Sequence, residues 1–375
     1  MNSQTMSCVR SQFSDAQSGV STTDRRKPAT SSGAGRKTLS AVLIGSIFAA
    51  GPLAAQAIEA KVSGQVNRAL MQVDDGTNSE LHNVDNATSS TRFRFTGSAD
   101  VMPGTKAGIV FEAEFMSNAS NVVTQAAKSS PASLEERIMN VFFQNSVGTF
   151  TLGQGPGASD GGIEVDLSGT DVVQGALAAS SLGGGIAFVG GPTIGNSISD
   201  QDFESRYDRF RYDSPNLGPI GIALSKGVKD DVDVSEVALR LSTDVAGGKL
   251  AAAVGSSTQD TTPTKDEVTG GSVSWLMPNG LNFTYAMSSR DSGGRERDFN
   301  YFKIGYKFGR SAIALDLGKG ENQSAAGAET EMTGIGYVYS PQKWAELYVG
   351  YKTFGFNGAG VNDISIITAG SRLKF

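Results

Sequence analysis

From Ile58 onward, apolar and polar side chains alternate with a period of two along one segment after another. In residues 300–308, NYFKIGYKF, Phe302 and Ile304 share one parity, and Lys303 and Lys307 share the other. Such alternation is typical of β-strands that have one face in an apolar phase and the other face in water. We identify sixteen segments of this kind, which begin near Ile58, Thr91, Thr105, Arg137, Gly148, Arg206, Ile220, Val234, Gly248, Glu267, Leu281, Asp298, Ser311, Glu329, Ala345 and Asn362.

The connections between these segments alternate in length. Links from an even-numbered to the next odd-numbered segment are tight turns rich in Pro, Gly, Asn and Asp, such as MPGT at 102–105. Most other links are longer and polar: the first covers 74–90, the second 118–136 and the third about 156–205. Alternation of short and long connections is not expected of a soluble β-sandwich. An outer-membrane barrel has this alternation, with short periplasmic turns and long extracellular loops. We therefore predict an all-β fold, a 16-stranded antiparallel transmembrane β-barrel.

The last segment, NDISIITAGSRLKF at 362–375, predicts how the barrel closes. The bilayer core contains no water, so backbone groups must pair within a closed sheet and an edge strand cannot stay open there. We expect Phe375 to end the strand that pairs with the first, with its ring in the aromatic girdle on the periplasmic side. Arg372 and Lys374 then point into water. In the first segment Arg68 is an exception, because it shares the parity of the apolar residues.

The N-terminal residues are predicted to direct export and not to form part of the folded domain. Residues 36–57 contain Arg36 and Lys37, an uncharged run and then Ala55-Gln56-Ala57, which is the pattern of a signal peptide cleaved after Ala57. A single transmembrane anchor is the alternative, but the strongly apolar part is short and Pro52 interrupts it. Residues 1–35 are rich in Ser and Thr and predict a disordered extension, either from a start assigned too far upstream or as an unusual leader. The barrel domain is predicted over 58–375.

Charge and cysteine content exclude some classes of partner and site. Residues 1–57 hold six Lys or Arg and two acidic residues, which leaves 26 basic and 36 acidic residues and a net charge of −10. An acidic chain of this kind argues against nucleic acid as a partner. The lone Cys8 precedes the predicted cleavage site, so the mature chain needs neither a disulfide nor a thiolate metal site.

Several segments together resemble the general porins of Gram-negative outer membranes. The likeness covers essentially all of 58–375 and rests on TRFRFTGSADV (91–101), GTFTLGQG (148–155), RYDRFRYDSPNLGPIGIAL (206–224) and the terminal phenylalanine. The resemblance implies sixteen strands, a homotrimer, and a third extracellular loop folded into the lumen to narrow the pore. The third link here is the longest, as the resemblance requires. It lacks the Pro-Glu-Phe-Gly motif of well-known enteric members, and SDGGIEVDLSGTDVVQG (159–175) stands in its place.

A porin acts by size exclusion together with a transverse electric field at its narrowest point, and it needs no cofactor. Acids on the inserted loop and arginines on the wall would supply that field. We expect the acidic side to comprise Asp160, Glu164, Asp166 and Asp171. We expect the basic wall to comprise Arg92, Arg94, Arg209 and Arg211. These four arginines fall on the water-facing parity of their segments. An arginine that faced lipid at mid-membrane would cost about 2–4 kcal/mol, which supports their assignment to the lumen. The net charge favours cations as the preferred ions.

Other functions remain as alternatives. The leading hypothesis is a passive channel for small hydrophilic solutes and ions, embedded among outer-membrane lipid and lipopolysaccharide. The second hypothesis is a substrate-selective channel of the same architecture. The single histidine of the mature chain, His82, lies in the first long link, where we expect it to be solvated, and it leaves little basis for catalytic or metal sites. An outer-membrane barrel enzyme and a secreted β-rich adhesin are the remaining alternatives.

Overall fold

A computed structural model describes residues 58–261 and 263–375 of the chain. The predicted N-terminal extension and signal peptide lie outside the described residues. No helix within the described part of the chain has the length and apolar character needed to cross a membrane.

Antiparallel strands form one closed sheet. Each strand from β3 to β16 pairs with the next strand along the chain, and β17 pairs with β1. The two strands β2 and β3 pair with successive halves of β1 and together occupy the second of sixteen positions around the barrel. The strands are β1 (Glu59–Asp74), β2 (Ser79–Asp85), β3 (Arg92–Met102), β4 (Thr105–Met116), β5 (Ser133–Asn145), β6 (Gly148–Pro156), β7 (Arg206–Asp213), β8 (Ile220–Lys229), β9 (Val232–Val245), β10 (Gly248–Gln259), β11 (Asp266–Leu276), β12 (Leu281–Ser292), β13 (Arg295–Phe308), β14 (Ser311–Glu321), β15 (Glu329–Gln342), β16 (Ala345–Phe356) and β17 (Ile364–Lys374).

The sixteen-stranded barrel confirms the predicted fold class, and most strand starts lie within two residues of those predicted. The fourth predicted segment corresponds to β5. It is predicted to begin near Arg137, but β5 begins at Ser133. Three consecutive charged residues, Glu135 to Arg137, hide the alternation there, and a β-bulge opposite Glu112 and Ala113 shifts the register. The tight turns are confirmed as well, since only two residues separate β9 from β10 and β13 from β14.

The second position of the barrel departs from the prediction, because part of the first long link is a strand. The Asp75 carboxylate accepts backbone N–H groups of Thr77 (2.9 Å) and Asn78 (2.6 Å), which forms a tight turn. The turn folds β2 back onto the upper half of β1. The prediction that His82 is a solvated loop residue is therefore wrong. His82 lies in β2 opposite Met71 and is buried.

A short irregular segment, residues 86–91, separates β2 from β3. It contains a 3₁₀ turn over Ala87–Ser89, and the Asn86 side chain caps this turn by accepting the Thr88 N–H at 3.0 Å. The Asn86 amide also donates to the Val172 carbonyl at 2.9 Å and to the Tyr348 hydroxyl at 3.0 Å. The Asn86 side chain thus contacts both the long connection between β6 and β7 and the interior face of β16.

Side chains on each strand alternate between an exterior and an interior face. On β14 the apolar Leu315 is 57% exposed, whereas the neighbouring Asp316 is only 1% exposed. Because the sheet is closed, the exposed apolar set forms the outside of the cylinder and the polar set lies inside. Exterior faces of other strands repeat the pattern with Leu347 on β16 and Phe302 on β13. The wall is therefore apolar outside and polar on most of its inner face, the reverse of a soluble protein.

Backbone hydrogen bonds at the last residue complete the closure. The Gly64 N–H donates to the Phe375 carbonyl, and the Phe375 N–H donates to the Gly64 carbonyl, both at 2.9 Å. The Phe375 ring lies over Gly64, where a Cβ atom would come within 2.5 Å of Phe375 Cζ and 2.6 Å of the Arg92 carbonyl oxygen. This contact supports the prediction that Phe375 ends the closing strand.

We expect Gly64→Val to impair closure, because the ring can turn away but the Arg92 backbone cannot without disturbing the β1–β3 ladder. The measurement is the fraction of refolded protein that migrates as a compact barrel on an unheated detergent gel. Ala60→Val, on the same exterior face of β1 and exposed, is the matched control. Equal folded fractions for the two variants would contradict the expected role of Gly64.

Candidate functional site

The long connection, residues 157–205, is held against interior side chains of the wall. Its backbone N–H groups at Val165 and Leu167 each donate to a serine hydroxyl of β11, Ser272 and Ser274, at 3.0 Å. The Ser159 N–H donates to the Glu236 carboxylate of β9 at 2.7 Å. Interior side chains thus satisfy backbone groups of a segment that has little regular secondary structure of its own.

Apolar packing fixes the second half of the long connection. It contains two single-turn helices, α1 (Ala178–Ser181) and α2 (Ile194–Ser197). Its buried apolar side chains join a cluster with interior residues of β1, β16 and β17, which on this side of the barrel are apolar. Members of this cluster are Val172, Val173, Leu182, Ile186, Phe188, Ile194, Ile198, Met71, Val73, Tyr348, Phe354, Ile364 and Ile366. A burial of this extent indicates a fixed segment rather than a freely moving loop.

One ion pair ties the first half of the connection to the wall. The Lys303 ammonium of β13 is fully buried and contacts the Asp166 carboxylate, and it also donates to the Gln174 carbonyl at 2.9 Å. The Asp166 carboxylate in turn accepts the Ser168 N–H at 2.8 Å. Asp166, predicted among the acids of the pore, is therefore positioned as an anchor. Asp171 is exposed and has no ion pair within the described residues.

The predicted arginines of β3 lie on the interior face beside wall glutamates. Arg94 donates to the Glu112 carboxylate of β4 at 2.6 Å. Arg137 of β5 bridges Glu112 at 2.7 Å and Glu114 at 2.6 Å. Arg92 stands opposite Glu114 across the β3–β4 ladder and has one long contact, 3.4 Å, with the Ser89 hydroxyl. The β3 to β5 wall is thus a patch of alternating charge.

The predicted arginines of β7 hold the start of the long connection. Arg209 donates from Nε to the Pro156 carbonyl at 2.8 Å and from Nη1 to the Gly153 carbonyl. Arg211 donates to the Gly157 carbonyl at 2.5 Å and pairs with Asp213 at 2.7 Å. Arg209 is buried and Arg211 is partly exposed, so Arg211 has the more accessible charge.

The two remaining predicted acids, Asp160 and Glu164, belong to a group that Asp200 and Asp202 complete. The Asp202 carboxylate accepts the Gly161 N–H at 2.5 Å and the Ile163 N–H at 2.9 Å, which joins the two ends of the long connection. We name these four residues the acidic group. Within the described residues, no cluster of three or more His, Cys, Asp or Glu side chains is arranged to hold a metal ion.

Burial and mutual repulsion raise the pKa values of the acidic group. Burial raises the pKa of Asp200 to about 6. For Glu164, burial and then the neighbouring carboxylates Asp202, Asp200 and Asp160 hold the pKa well above its ordinary value. Burial also raises the pKa of Asp160. The positive charges of nearby arginines, of which Arg206 has the largest effect, oppose this increase.

Sequence reasoning missed several interior residues that act with the predicted ones. Arg240 of β9 donates to the carbonyls of Ala158 at 3.0 Å and Asp160 at 2.7 Å. Glu112 and Glu114 already stood on the polar parity of their segment, so cross-strand pairing could have identified them as counter-charges of Arg92 and Arg94. Asp200 and Asp202 gave no local signal, because only folding of the long connection brings its two ends together.

Comparison with known proteins identifies related sequences and folds. A model of the Gram-negative porin family matches residues 39–359. No curated protein sequence matches the chain. Among solved structures, the anion-selective porin from Comamonas acidovorans is 15% identical with a TM-score of 0.60, and the match covers 85% of this chain and 100% of that one.

Two further structures have the same fold. The trimer form of OmpT, an outer membrane protein of Vibrio cholerae, is 13% identical with a TM-score of 0.54, over 85% of this chain and 100% of that one. The outer membrane channel DcaP of Acinetobacter baumannii is 13% identical with a TM-score of 0.54, over 87% and 100%. At these identities the likeness establishes the fold.

We expect Lys303→Met to loosen the long connection, because it leaves the Asp166 carboxylate unpaired against the wall. Removing one partner of a buried ion pair costs about 3–5 kcal/mol. Faster cleavage within residues 157–205 by subtilisin is the measurement. The double variant Lys303→Met/Asp166→Asn removes both charges, and we expect it to recover most of the protection.

Lys307→Met is the control for this experiment, since Lys307 lies on the same face of β13 and has no ion pair within the described residues. Cleavage of Lys303→Met at the rate of the unmodified protein, or equal cleavage of the single and double variants, would contradict the anchoring role.

Proposed function

The chain belongs to the Gram-negative porin family, and we propose that its barrel is a water-filled outer-membrane channel through which small hydrophilic solutes and ions diffuse passively. One observation carries this proposal: a closed sixteen-stranded cylinder whose exterior is apolar and whose interior is polar and charged. A cylinder of this size encloses more space than its own side chains fill. Charged residues such as Lys303 and Arg94 on the inside and Leu315 on the outside support an aqueous path through a lipid-facing wall.

The long connection, residues 157–205, folds into the lumen and narrows the pore. Its hydrogen bonds with Ser272, Ser274 and Glu236 support this, because all three side chains are on the interior parity of their strands. Asp166 anchors the connection through Lys303, so it contributes to the shape of the constriction.

A transverse field crosses the narrowest part of the pore. Asp160 and Glu164 of the acidic group supply the negative side. Arg211 supplies the positive side together with Arg206 and Arg240, whose charges act on Asp160. Arg92 and Arg94 extend the basic wall, where Glu112 and Glu114 partly neutralise them. Arg209 holds the backbone at the base of the connection. Such a field orients polar solutes and disfavours apolar ones of the same size.

The assembly is a homotrimer embedded in outer-membrane lipid and lipopolysaccharide. The Vibrio cholerae OmpT structure of the same fold is described as a trimer form, which supports this assembly for the present chain. Residues 36–57 direct export and are removed after Ala57. The burial of His82 within β2 supports a channel over an enzyme that would use this histidine.

Liposome swelling tests the proposed function. We expect proteoliposomes to swell at rates that fall with solute size and that rise linearly with solute concentration. Absence of swelling for the smallest sugars would overturn the channel. Saturation at low concentration with one solute would replace passive diffusion by a substrate-selective channel.

Ion selectivity should change with pH near 6. Lowering the pH through about 6 protonates the Asp200 carboxylate, since its pKa is raised to about 6 by burial. The acidic group then loses negative charge, so the reversal potential in a salt gradient should move toward anion preference as the pH falls from 7.5 to 5. We expect Asp200→Asn to diminish this change.

Asp171→Asn is the control, because Asp171 is exposed and makes no ion pair within the described residues. It should keep the full pH dependence. A reversal potential that is independent of pH in the unmodified protein would contradict a field set by the acidic group.

A further inference from the structure

Three arginines lie close together at one end of the β12–β13 hairpin. A two-residue turn, Gly293-Gly294, joins these strands, and both glycines have positive φ angles, 65° and 85°. Because a tight turn fixes the register of its strands, it places Arg290 of β12 directly opposite Arg297 of β13. Arg295 lies two residues before Arg297 on the same strand. In the proposed channel this end is extracellular, since the other end of both strands carries tight periplasmic turns.

All three arginines have the interior parity of their strands. On β13 this parity is shared with Phe299 and Tyr301, which are buried inside the barrel. On β12 it is shared with the buried Ser288, whose hydroxyl donates to the Asp200 carbonyl of the long connection at 2.6 Å. The guanidinium groups therefore project from the lumen side of the wall, above the point where the long connection returns to the barrel.

The carboxylates of the same hairpin lie on its outer face. Asp291 and Glu296 stand opposite each other on the exterior parity. Asp291 accepts the Gly294 N–H at 2.8 Å, and Glu296 accepts the Ser289 hydroxyl at 2.9 Å. The sheet thus separates the charges of the hairpin, with positive charge toward the lumen and negative charge toward the outside.

Only one of the three arginines is neutralised by the chain itself. Arg290 contacts the Glu204 carboxylate at 2.5 Å, and its Nε lies 3.5 Å from Asp266. Among the residues that the structure describes, neither Arg295 nor Arg297 has an ion-pair partner, and the buried Nε of Arg297 has no hydrogen-bond partner. Arg297 and Arg295 therefore carry uncompensated charge.

This arrangement is unfavourable unless an anion is present. Residues directly opposite on antiparallel strands have Cβ atoms about 4.5–5.5 Å apart, and like charges there repel. Glu204 cannot relieve the repulsion, because its carboxylate also accepts the Gln259 amide and lies 3.5 Å from Lys229. The local balance is four positive charges against two negative, an excess of two, from Lys229, Arg290, Arg295 and Arg297 against Glu204 and Asp266.

We propose that Arg290, Arg295 and Arg297 form a binding site for an oxyanion, a phosphate or carboxylate group carried by a small solute that enters the channel. We name these residues the arginine site. A guanidinium keeps its charge at any working pH, and its planar fork of N–H groups matches two oxygens of one anion. The inference rests on the channel of the proposed function, and it names a class of solute that the extracellular mouth retains before the constriction.

A solute fits the arginine site better than a lipid does. The phosphate of a lipid headgroup has the same chemistry, but it lies outside the barrel, and the hairpin presents the carboxylates of Asp291 and Glu296 on that face. A dissolved oxyanion instead reaches the arginines from the lumen.

Planar-bilayer recordings test the arginine site with inorganic phosphate as the probe. In phosphatidylcholine bilayers without lipopolysaccharide, at pH 7.5 and constant ionic strength, we expect added phosphate to reduce the chloride current until the reduction saturates. The half-maximal phosphate concentration should rise several-fold in Arg297→Gln, because one of the two uncompensated guanidinium groups is lost.

Lys319→Gln is the matched control for these recordings. It also removes one positive charge, but Lys319 lies on the exterior parity of β14, and it pairs with Glu321 at 2.9 Å. We expect it to keep the half-maximal concentration of the unmodified protein. A reduction that never saturates, or equal concentrations for the two variants, would overturn the arginine site and leave the channel intact. Saturation that requires added lipopolysaccharide would assign the site to a lipid headgroup and overturn the solute assignment.

Thermal unfolding in detergent gives a measurement that needs no conductance. Arg297→Gln removes the cross-strand repulsion, so in phosphate-free buffer we expect it to unfold at a higher temperature than the unmodified protein. Phosphate should raise the unfolding temperature of the unmodified protein and of Lys319→Gln, because a ligand that binds only the folded state stabilises it. The rise should be smaller in Arg297→Gln.

The two measurements separate failure of the inference from failure of its premise. A barrel that conducts no ions but is stabilised by phosphate through Arg297 would overturn the channel and leave the arginine site intact. A barrel that conducts ions, with neither saturable reduction of the current nor stabilisation by phosphate, would overturn the arginine site alone.

Discussion

Satisfaction of backbone hydrogen bonds in a medium without water is the constraint on which this structure depends. Every N–H and C=O at membrane depth needs a partner within the protein, and a closed sheet provides one for each. The bonds between Gly64 and Phe375 complete that closure at the end of β17. The ladder is interrupted between β2 and β3, where the Asp85 carboxylate accepts the Thr91 N–H and the Asn86 amide donates to the Val172 carbonyl of the long connection.

Closure also determines which side chains can carry function. Because alternate residues must face lipid, charged groups accumulate on the interior face of the wall, and several of them contact the long connection. The connection uses three kinds of contact with the wall: backbone N–H groups on serine hydroxyls, an apolar cluster near β1 and β17, and the pair of Lys303 with Asp166. Together they hold a segment of little regular structure in a defined position.

The interior charges separate into local and distant pairings. Arg94 and Glu112 are neighbours across a hairpin, so their pairing follows from register alone. The acidic group instead unites Asp160 and Asp202, which are forty-two residues apart in the chain and meet because the long connection returns to its start. Burial and, for Glu164, repulsion among carboxylates raise the pKa values within this group.

The sequence by itself determined the period-two strands, the tight turns, the long third link and the parity of Arg92, Arg94, Arg209 and Arg211. These features are local, since a strand or a turn is specified by residues within a few positions of one another. Only the tertiary structure decided that His82 is buried in a strand, that Asp166 pairs with Lys303, and that Asp200 and Asp202 join the acidic group. Those outcomes depend on contacts between distant segments, and a pattern of period two carries no information about which loop side chain meets which wall.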